Sequence, residues 1–267
     1  MFDSLSLAGW TSASALKHSF IDPMCGSGTL PIEAALIACS TAPGLIRYGG
    51  ATSLSDMPCP VLWKDLQCEG VTQEWLSVVK EAELRDRRRE LRHSSSSDID
   101  PAHTVSIRAS DVNDASLQLA RQAAVKAGVD HIIHFDHAPA DQVDPLSGSS
   151  ASSQFRPALI VTNPPWDVRL SEGSETAWKQ LGDLARKCAV ENQQQQQLQA
   201  AGKGAELSVG STSDSEKTST TDKEGALFVL SGNEALPPLM RLKSNSLRRK
   251  HVFSAAGIKL KLHEYRL

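Results

Sequence analysis

The chain has no Cys-x-x-Cys pair and no His/Cys cluster at zinc spacing. Its five cysteines (Cys25, Cys39, Cys59, Cys68 and Cys188) stand apart and its histidines are scattered. That excludes a zinc finger or ribbon, predicts no metal site, and points to reduced thiols in a reducing compartment. No apolar run reaches the roughly 20 residues of a membrane-spanning helix. The N-terminus shows no signal-peptide pattern, with Asp3 arriving early. Excess positive charge is missing as well: the net charge is −3. Any nucleic-acid contact must therefore come from a local basic patch or from a domain outside this chain. The dinucleotide pattern G-x-G-x-x-G fails because Pro31 occupies its last position, and no Gly-Lys-Ser/Thr follows to make a phosphate loop. No internal repeat is visible.

What is present centres on Phe20–Ile37. A short apolar strand at 19–21 ends at Asp22. The run Pro23-Met24-Cys25-Gly26-Ser27-Gly28-Thr29 follows, and then Leu30, Ala34, Leu36 and Ile37 mark a helix. Strand, glycine turn and helix is the plan of a nucleotide-type cofactor site. Glycine lets the backbone take positive φ and approach a ligand, and the turn's N–H groups face whatever binds there. Without a dinucleotide or phosphate-loop pattern, the expected ligand lacks a pyrophosphate.

With 267 residues, the chain has room for one α/β domain with a sizeable core. Residues 1–18 read as a lead-in whose start looks truncated, with the domain at 19–267. Residues 43–70 read as loop with one turn near Trp63, and 72–93 as a helix carrying Trp75, Leu76, Val79 and Leu84. The stretch 94–100 reads as a solvated tether, so that 43–103 forms an insertion. Alternation over 105–111 predicts a strand. Asn113 or Asp114 can cap a helix to Lys126, with Gly128 ending it. Further strands are expected at 132–135, 157–162 and 226–230; the fourth of the five, 157–162, is an almost continuous apolar run over 158–161, as a central parallel strand requires. Helices are expected at 174–190 and 234–242. The Gln-, Ser- and Thr-rich stretch at 191–224 has too little apolar surface to offset ordering and is expected to be disordered. Runs at 251–253 and 258–265 around Ala256-Gly257 signal a closing hairpin. Strands alternating with helices before a hairpin predict a doubly wound α/β sheet with an antiparallel edge.

Ligands of such sheets bind beyond the carboxyl ends of the strands. Asp22–Gly28, Asp111 and Asn163–Trp166 all end strands there. Asp111 can accept hydrogen bonds from both ribose hydroxyls of an adenosyl cofactor, or cap the following helix; the glycine loop upstream favours the ribose. Asn163-Pro164-Pro165-Trp166 suits methylation of an exocyclic amine, a poor nucleophile whose lone pair is delocalised into the ring. The Asn163 side-chain oxygen and the Pro164 carbonyl can accept the amine's two N–H bonds and favour the reacting geometry. Pro164 and Pro165 stiffen the turn. Trp166 offers a face for an extruded base, worth about 1–3 kcal/mol. The plainer reading is a proline-rich turn with a packing tryptophan. Cys25 has nothing cationic nearby to activate it and reads as a small loop residue.

Together, Asp22–Leu30 and Asn163–Trp166 resemble the motifs of bacterial-type large-subunit rRNA guanine-N2 methyltransferases and their THUMP-associated relatives. Ala42-Pro43-Gly44-Leu45 with Trp63 and Trp75, Ala109-Ser110-Asp111, and Leu230-Ser231-Gly232-Asn233 before the hairpin resemble the same family. The resemblance implies a class I methyltransferase (Rossmann-like) fold of seven strands, the last antiparallel. It implies S-adenosylmethionine as cofactor, its methionine part cradled by Asp22, Pro23, Met24, Cys25, Gly26, Ser27, Gly28 and Thr29 and its ribose by Asp111. The implied partner is RNA, with rRNA first and tRNA second, and neither membrane nor metal. Trp166 replaces the family's usual tyrosine and Asp167 its usual glycine. The acid expected near the adenine falls at about Pro139, where Asp136 or Asp141 could substitute. The family's THUMP domain is not in this sequence. Compartment stays open between cytoplasm and organelle. Arg85, Arg87, Arg88, Arg89 and Arg92 could contact phosphates but interleave with Glu81, Glu83, Asp86 and Glu90, which favours a solvated, ion-paired helix. Arg248, Arg249 and Lys250 are less diluted. Adenine-N6 methylation, which uses the same Asn-Pro-Pro-aromatic device, and a degenerate RNA- or partner-binding module are the alternatives.

Overall fold

A computed structural model describes residues 2–48, 69–93, 104–145, 156–165, 172–203, 225–255 and 258–267. Its centre is a sheet of eight strands: β1 (Ser19–Asp22), β2 (Arg92–His93), β3 (Thr104–Asp111), β4 (Ile133–His137), β5 (Ala158–Thr162), β6 (Ala226–Ser231), β7 (Leu247–Ala255) and β8 (Ile258–Arg266). The order is β2-β3-β1-β5-β6-β8-β7, and β4 also pairs with β3. The two-residue β2 pairs with Thr104 and Val105 at one end of β3, and β4 pairs with Ile107–Asp111 along the same edge. The sheet is therefore seven rows wide. All pairings are parallel except those of β8, which runs against both β6 and β7. This is the class I methyltransferase sheet, with its last strand antiparallel.

The period of two along each strand divides the core. Phe20, Leu159, Val161 and Phe228 face a layer made by α1 (Phe2–Leu7), α2 (Thr29–Ala38) and α5 (Asp114–Ala127). Ile21, Ala158, Ile160, Leu227 and Val229 face α6 (Glu172–Lys203), which presents Trp178, Leu181, Leu184, Ala185 and Cys188 at helical spacing. The short lead-in is anchored: Trp10 donates its indole N–H to the Ala34 carbonyl at 2.9 Å and packs on Phe20 with ring centroids 5.2 Å apart. Helix α5 ends as its sequence predicts. The Asn113 side chain caps it by accepting the Ser116 N–H at 3.1 Å, and Gly128 closes it at φ +70°.

Four expectations need correction. Residues 43–48 form a helix, α3 (Pro43–Tyr48), with proline at its first position where no N–H is needed; the turn expected near Trp63 lies outside the described residues. The helix expected at 72–93 is α4 (Glu69–Arg85) and stops short. Its chain is turned by Asp86, which accepts from Thr41 Oγ1 at 2.7 Å and from the Arg88 backbone at 3.1 Å, while Arg87 N–H donates to the Cys39 carbonyl. The chain then enters the sheet as β2. Disorder was expected from 191, yet α6 continues to Lys203. Glutamine and alanine are good helix formers, so propensity extends the helix beyond its packed face; Leu198 there is 65% exposed. Residues 204–224 lie outside the described residues, as does the 94–100 tether. The helix expected at 234–242 is a single 3-10 turn, Pro237–Met240, because the Pro237-Pro238 pair lacks the N–H groups an α-helix needs.

Candidate active site

Strands β3, β1 and β5 lie side by side and all end at one rim, carrying Asp111, Asp22 and Asn163 respectively. Hydrogen bonds join the three ends. Gly26 N–H donates to Asp111 Oδ2 at 2.8 Å, and the Thr162 hydroxyl donates to Asp22 Oδ1 at 2.7 Å. Cys25 N–H donates to the Ser110 carbonyl at 2.9 Å, and the Ser110 hydroxyl donates to the Pro23 carbonyl at 3.2 Å. The glycine loop is thus sewn to β3 on both of its sides.

Gly26 and Gly28 do different work. Both have positive φ, +53° and +84°. A Cβ on Gly26 would meet no atom within 4 Å, so this turn leaves open space on its ligand side. A Cβ on Gly28 would sit 2.7 Å from the Ala120 Cβ. Gly28 therefore serves the contact of α2 with α5, and Ala120 is fully buried there. Ser27 and Thr29 are exposed, Met24 is half-buried, and Pro23 and Cys25 are buried.

Asp111 is half-buried and accepts the Gly26 and Asn113 N–H groups through different oxygens, at 2.8 and 2.9 Å. The cap of α5 is Asn113, so Asp111 is not occupied as its cap. A carboxylate holding one bond on each oxygen keeps lone pairs for two hydroxyls. The open turn at Gly26 and this carboxylate fit an adenosyl cofactor.

Asp22 is buried, and burial pushes its carboxyl from the ordinary 3.8 up to about 7. The Thr162 hydroxyl and the Met24 N–H pull it down, and the nearby Asp111 charge raises it further. A folded-state value above the unfolded one means that the folded protein binds this proton more tightly. Stability then falls with rising pH between about 4 and 7, and the full cost is present above 7. Asp22→Asn keeps a carbonyl oxygen for both donors and removes the charge. Relative to the parent chain, the variant is expected to gain roughly 2 kcal/mol between pH 5 and pH 8. Urea midpoints at the two values measure this, and parallel pH profiles would refute the assignment. The Cys25 thiol is also raised, first by burial and then by Asp22 and Asp111, which leaves it no thiolate to act as a nucleophile.

On the opposite side, Asn163 is half-buried, Pro164 buried and Pro165 exposed. Trp178 of α6, fully buried, donates its indole N–H to the Pro165 carbonyl at 2.9 Å. Thr162 and Trp178 are the residues that sequence reasoning missed. An indole on an all-apolar helix face signals a hydrogen-bond acceptor beside it, but nothing local names Pro165 as that acceptor. Trp166 lies outside the described residues.

Of the proposed substitutes for the acid near the adenine, Asp136 lies on β4 beside Ser110 and is engaged by Arg108 Nη1 at 3.5 Å and His134 Nε2 at 2.9 Å. Asp141 is exposed in a 3-10 turn that begins just after Pro139. The Arg85–Arg92 stretch is ion-paired, as its interleaved acids imply: Arg85 with Glu81 at 2.5 Å, Arg87 with Glu90 at 3.1 Å and Arg88 with Asp86 at 2.6 Å. Arg88 also donates to the Ala127 carbonyl at 2.9 Å. Its role is to hold the turn after α4. Among the described residues no helix is long and apolar enough to cross a membrane, and no group of three or more His, Cys, Asp or Glu could hold a metal.

Comparison with known proteins identifies the family. A family model described as "RMKL-like, methyltransferase domain" matches residues 5–203. A ribosomal RNA large subunit methyltransferase K/L of Alcanivorax borkumensis is 34% identical over 173 residues, 64% of this chain and 20% of that protein. The protein of the same name from Hydrogenovibrio crunogenus is 30% identical over 177 residues, 66% of this chain and 20% of that protein. The chain thus spans about a fifth of the length of these curated relatives. A solved structure described as a possible methylase from Clostridium difficile 630 shares the fold, with a TM-score of 0.58 at 22% identity, covering 93% of this chain and 48% of that one.

Proposed function

Because the chain belongs to the RMKL-like methyltransferase domain family, we propose that it methylates the exocyclic N2 amine of a guanine in large-subunit rRNA, with S-adenosylmethionine as methyl donor. The observation that carries this reading is the placement of Asn163-Pro164-Pro165 at the end of β5, one strand from the Asp22–Gly28 loop at the end of β1. The loop from Asp22 to Thr29 holds the methionine part of the cofactor, and Asp111 its ribose. When bound, the cofactor supplies an electrophilic methyl group.

The chain's own residues do the rest. Asn163 Oδ1 and the Pro164 carbonyl accept the two N–H bonds of the amine and draw its nitrogen toward a tetrahedral shape, which frees the lone pair. Trp178 is a positioning residue. By fixing the Pro165 carbonyl it sets the direction in which the turn leaves β5. Trp166 stacks on the extruded base. No strong general base is needed, because the amine's acidity rises steeply once the new bond to carbon forms and the proton can pass to solvent. The relatives named for rRNA support the choice of substrate.

Calorimetric titration with S-adenosylhomocysteine tests the cofactor half. Asp111→Ala is expected to weaken binding about 30-fold, the worth of roughly 2 kcal/mol of charged hydrogen bonding. A folded parent chain that binds none would instead favour a degenerate module. Nucleoside analysis of methylated RNA then tests the base: N2-methylguanosine is the expected product, and N6-methyladenosine would transfer the assignment to the adenine reading.

A further inference from the structure

The closing hairpin carries a feature that cofactor and base binding leave unused. His263 of β8 is 4% exposed, yet neither ring nitrogen has a hydrogen-bond partner among the described residues. A buried imidazole with both nitrogens unpaired is costly unless something outside the chain completes it. The ring stacks on Tyr265, with centroids 6.2 Å apart and planes 9° apart. It borders two adjoining cavities, of about 270 and 360 Å³. Lys243 and Lys250 line the first, Lys259 lines the second, and Lys261 and Glu234 border both. Lys261 and Glu234 are ion-paired with each other. The remaining lysines leave the trough with uncompensated positive charge around a neutral ring. Burial and the neighbouring Lys250 and Lys261 hold the His263 pKa below its ordinary value, which keeps one nitrogen an N–H donor and the other an acceptor at neutral pH.

The sheet register places this trough beside the active site. Lys250 pairs with His263 across β7 and β8, His263 with Val229 across β8 and β6, and Val229 with Thr162 across β6 and β5. His263 is therefore two strands from the residue preceding Asn163, about 10 Å at the usual strand spacing. The second cavity opens at Ser231-Gly232-Asn233, where β6 ends. Beyond that point β8 keeps only β7 as a partner, because Ser231 pairs with Lys261 while residues 258–260 pair with β7 alone. The hairpin thus extends past the end of β6, at the rim that carries Asn163 two strands away.

We propose that this trough is a phosphate subsite, in which the His263 ring N–H and the Lys243 and Lys250 ammonium groups bind a phosphodiester of the RNA next to the nucleotide presented to Asn163. The inference rests on the reading of the chain as an RNA methyltransferase and adds to it a contact to the backbone, which fixes position without reading sequence.

The test uses the full chain, a short oligouridine as RNA probe, and inorganic phosphate as a separate titrant. Oligouridine is expected to shift the His263 ring-nitrogen resonances. The Lys243→Ala/Lys250→Ala double variant is expected to lower the slope of log affinity against log salt by about 1.4, at about 0.7 per contact with a single strand. His263→Gln, which keeps a donor, is expected to bind the RNA more tightly than His263→Leu. S-adenosylhomocysteine affinity should be the same for all of these proteins. Oligouridine binding with an unchanged salt slope and unmoved His263 signals overturns the subsite and leaves the methyltransferase reading intact. Phosphate that moves the His263 signals while oligouridine does not assigns the trough to a free anion and overturns the RNA contact. A parent chain that binds S-adenosylhomocysteine but no oligouridine overturns the RNA reading itself, and the subsite with it.

Discussion

Asn163→Ala is expected to lower the rate of methyl transfer by 100- to 1,000-fold, with S-adenosylhomocysteine affinity changed less than twofold. The size follows from removing one fixed acceptor aimed at charge that develops in the transition state, roughly 3–4 kcal/mol in comparable sites. The split between rate and cofactor affinity follows from the fold. Asn163 belongs to the turn after β5, whereas the cofactor loop is held by Asp111, Ser110 and Thr162. Asn163→Asp keeps the acceptor oxygens and should retain more activity than the alanine variant. Single-turnover methylation at saturating RNA measures the effect; a loss below tenfold would remove Asn163 from the catalytic machinery.

Gly28→Ala is expected to destabilise the domain by roughly 2–5 kcal/mol. The left-handed backbone at φ +84° costs an L-residue about 1–2 kcal/mol. The added Cβ would then stand 2.7 Å from the Ala120 Cβ and 3.1 Å from its Cα, and forcing helices apart to relieve such a contact adds about 1–3 kcal/mol. Displacing α5 also drags on Asn113 and Asp111 at its start, so cofactor affinity should fall with stability. Gly26→Ala is the control. Its φ of +53° is strained, but its Cβ would meet nothing within 4 Å, so only about 1–2 kcal/mol is expected. Denaturant titration of the two variants separates them; equal losses would show that packing against Ala120 does not matter.

These cases also show what was legible in the sequence. The parallel strands β1, β3, β4, β5 and β6 were, though the two-residue β2 was not; 158–161 shows one reason, because a strand buried on both faces must be apolar along its length. So were the ends of α5, where Asn113 and Gly128 are local signals with local causes. The boundaries at Arg85 and Lys203 were not. Asp86 and Arg87 turn the chain through Thr41 and Cys39 respectively, more than forty residues away, and α6 outlasts its packed face on propensity alone. In the site, the residues of the two loops were legible as motifs, whereas the links between them were not. Thr162 and Asp22 are 140 residues apart, and no spacing rule joins them. Trp178 was legible as part of a helix, but its hold on Pro165 depends on the tertiary fold.

The bond between Thr162 and Asp22 has a thermodynamic consequence. It connects a carboxyl poised to titrate near neutrality, behind one ligand's loop, to the residue immediately before the other ligand's acceptor. A cation arriving near Asp22 changes how firmly that carboxylate holds the Thr162 proton, and so changes the anchoring of the β5 turn. Binding free energies are state functions. Whatever factor the methyl donor imposes on affinity for the nucleic acid, the nucleic acid must impose on affinity for the donor. On the proposed function, any such factor other than one means that a dissociation constant measured for either ligand alone describes a different protein from the one that holds both.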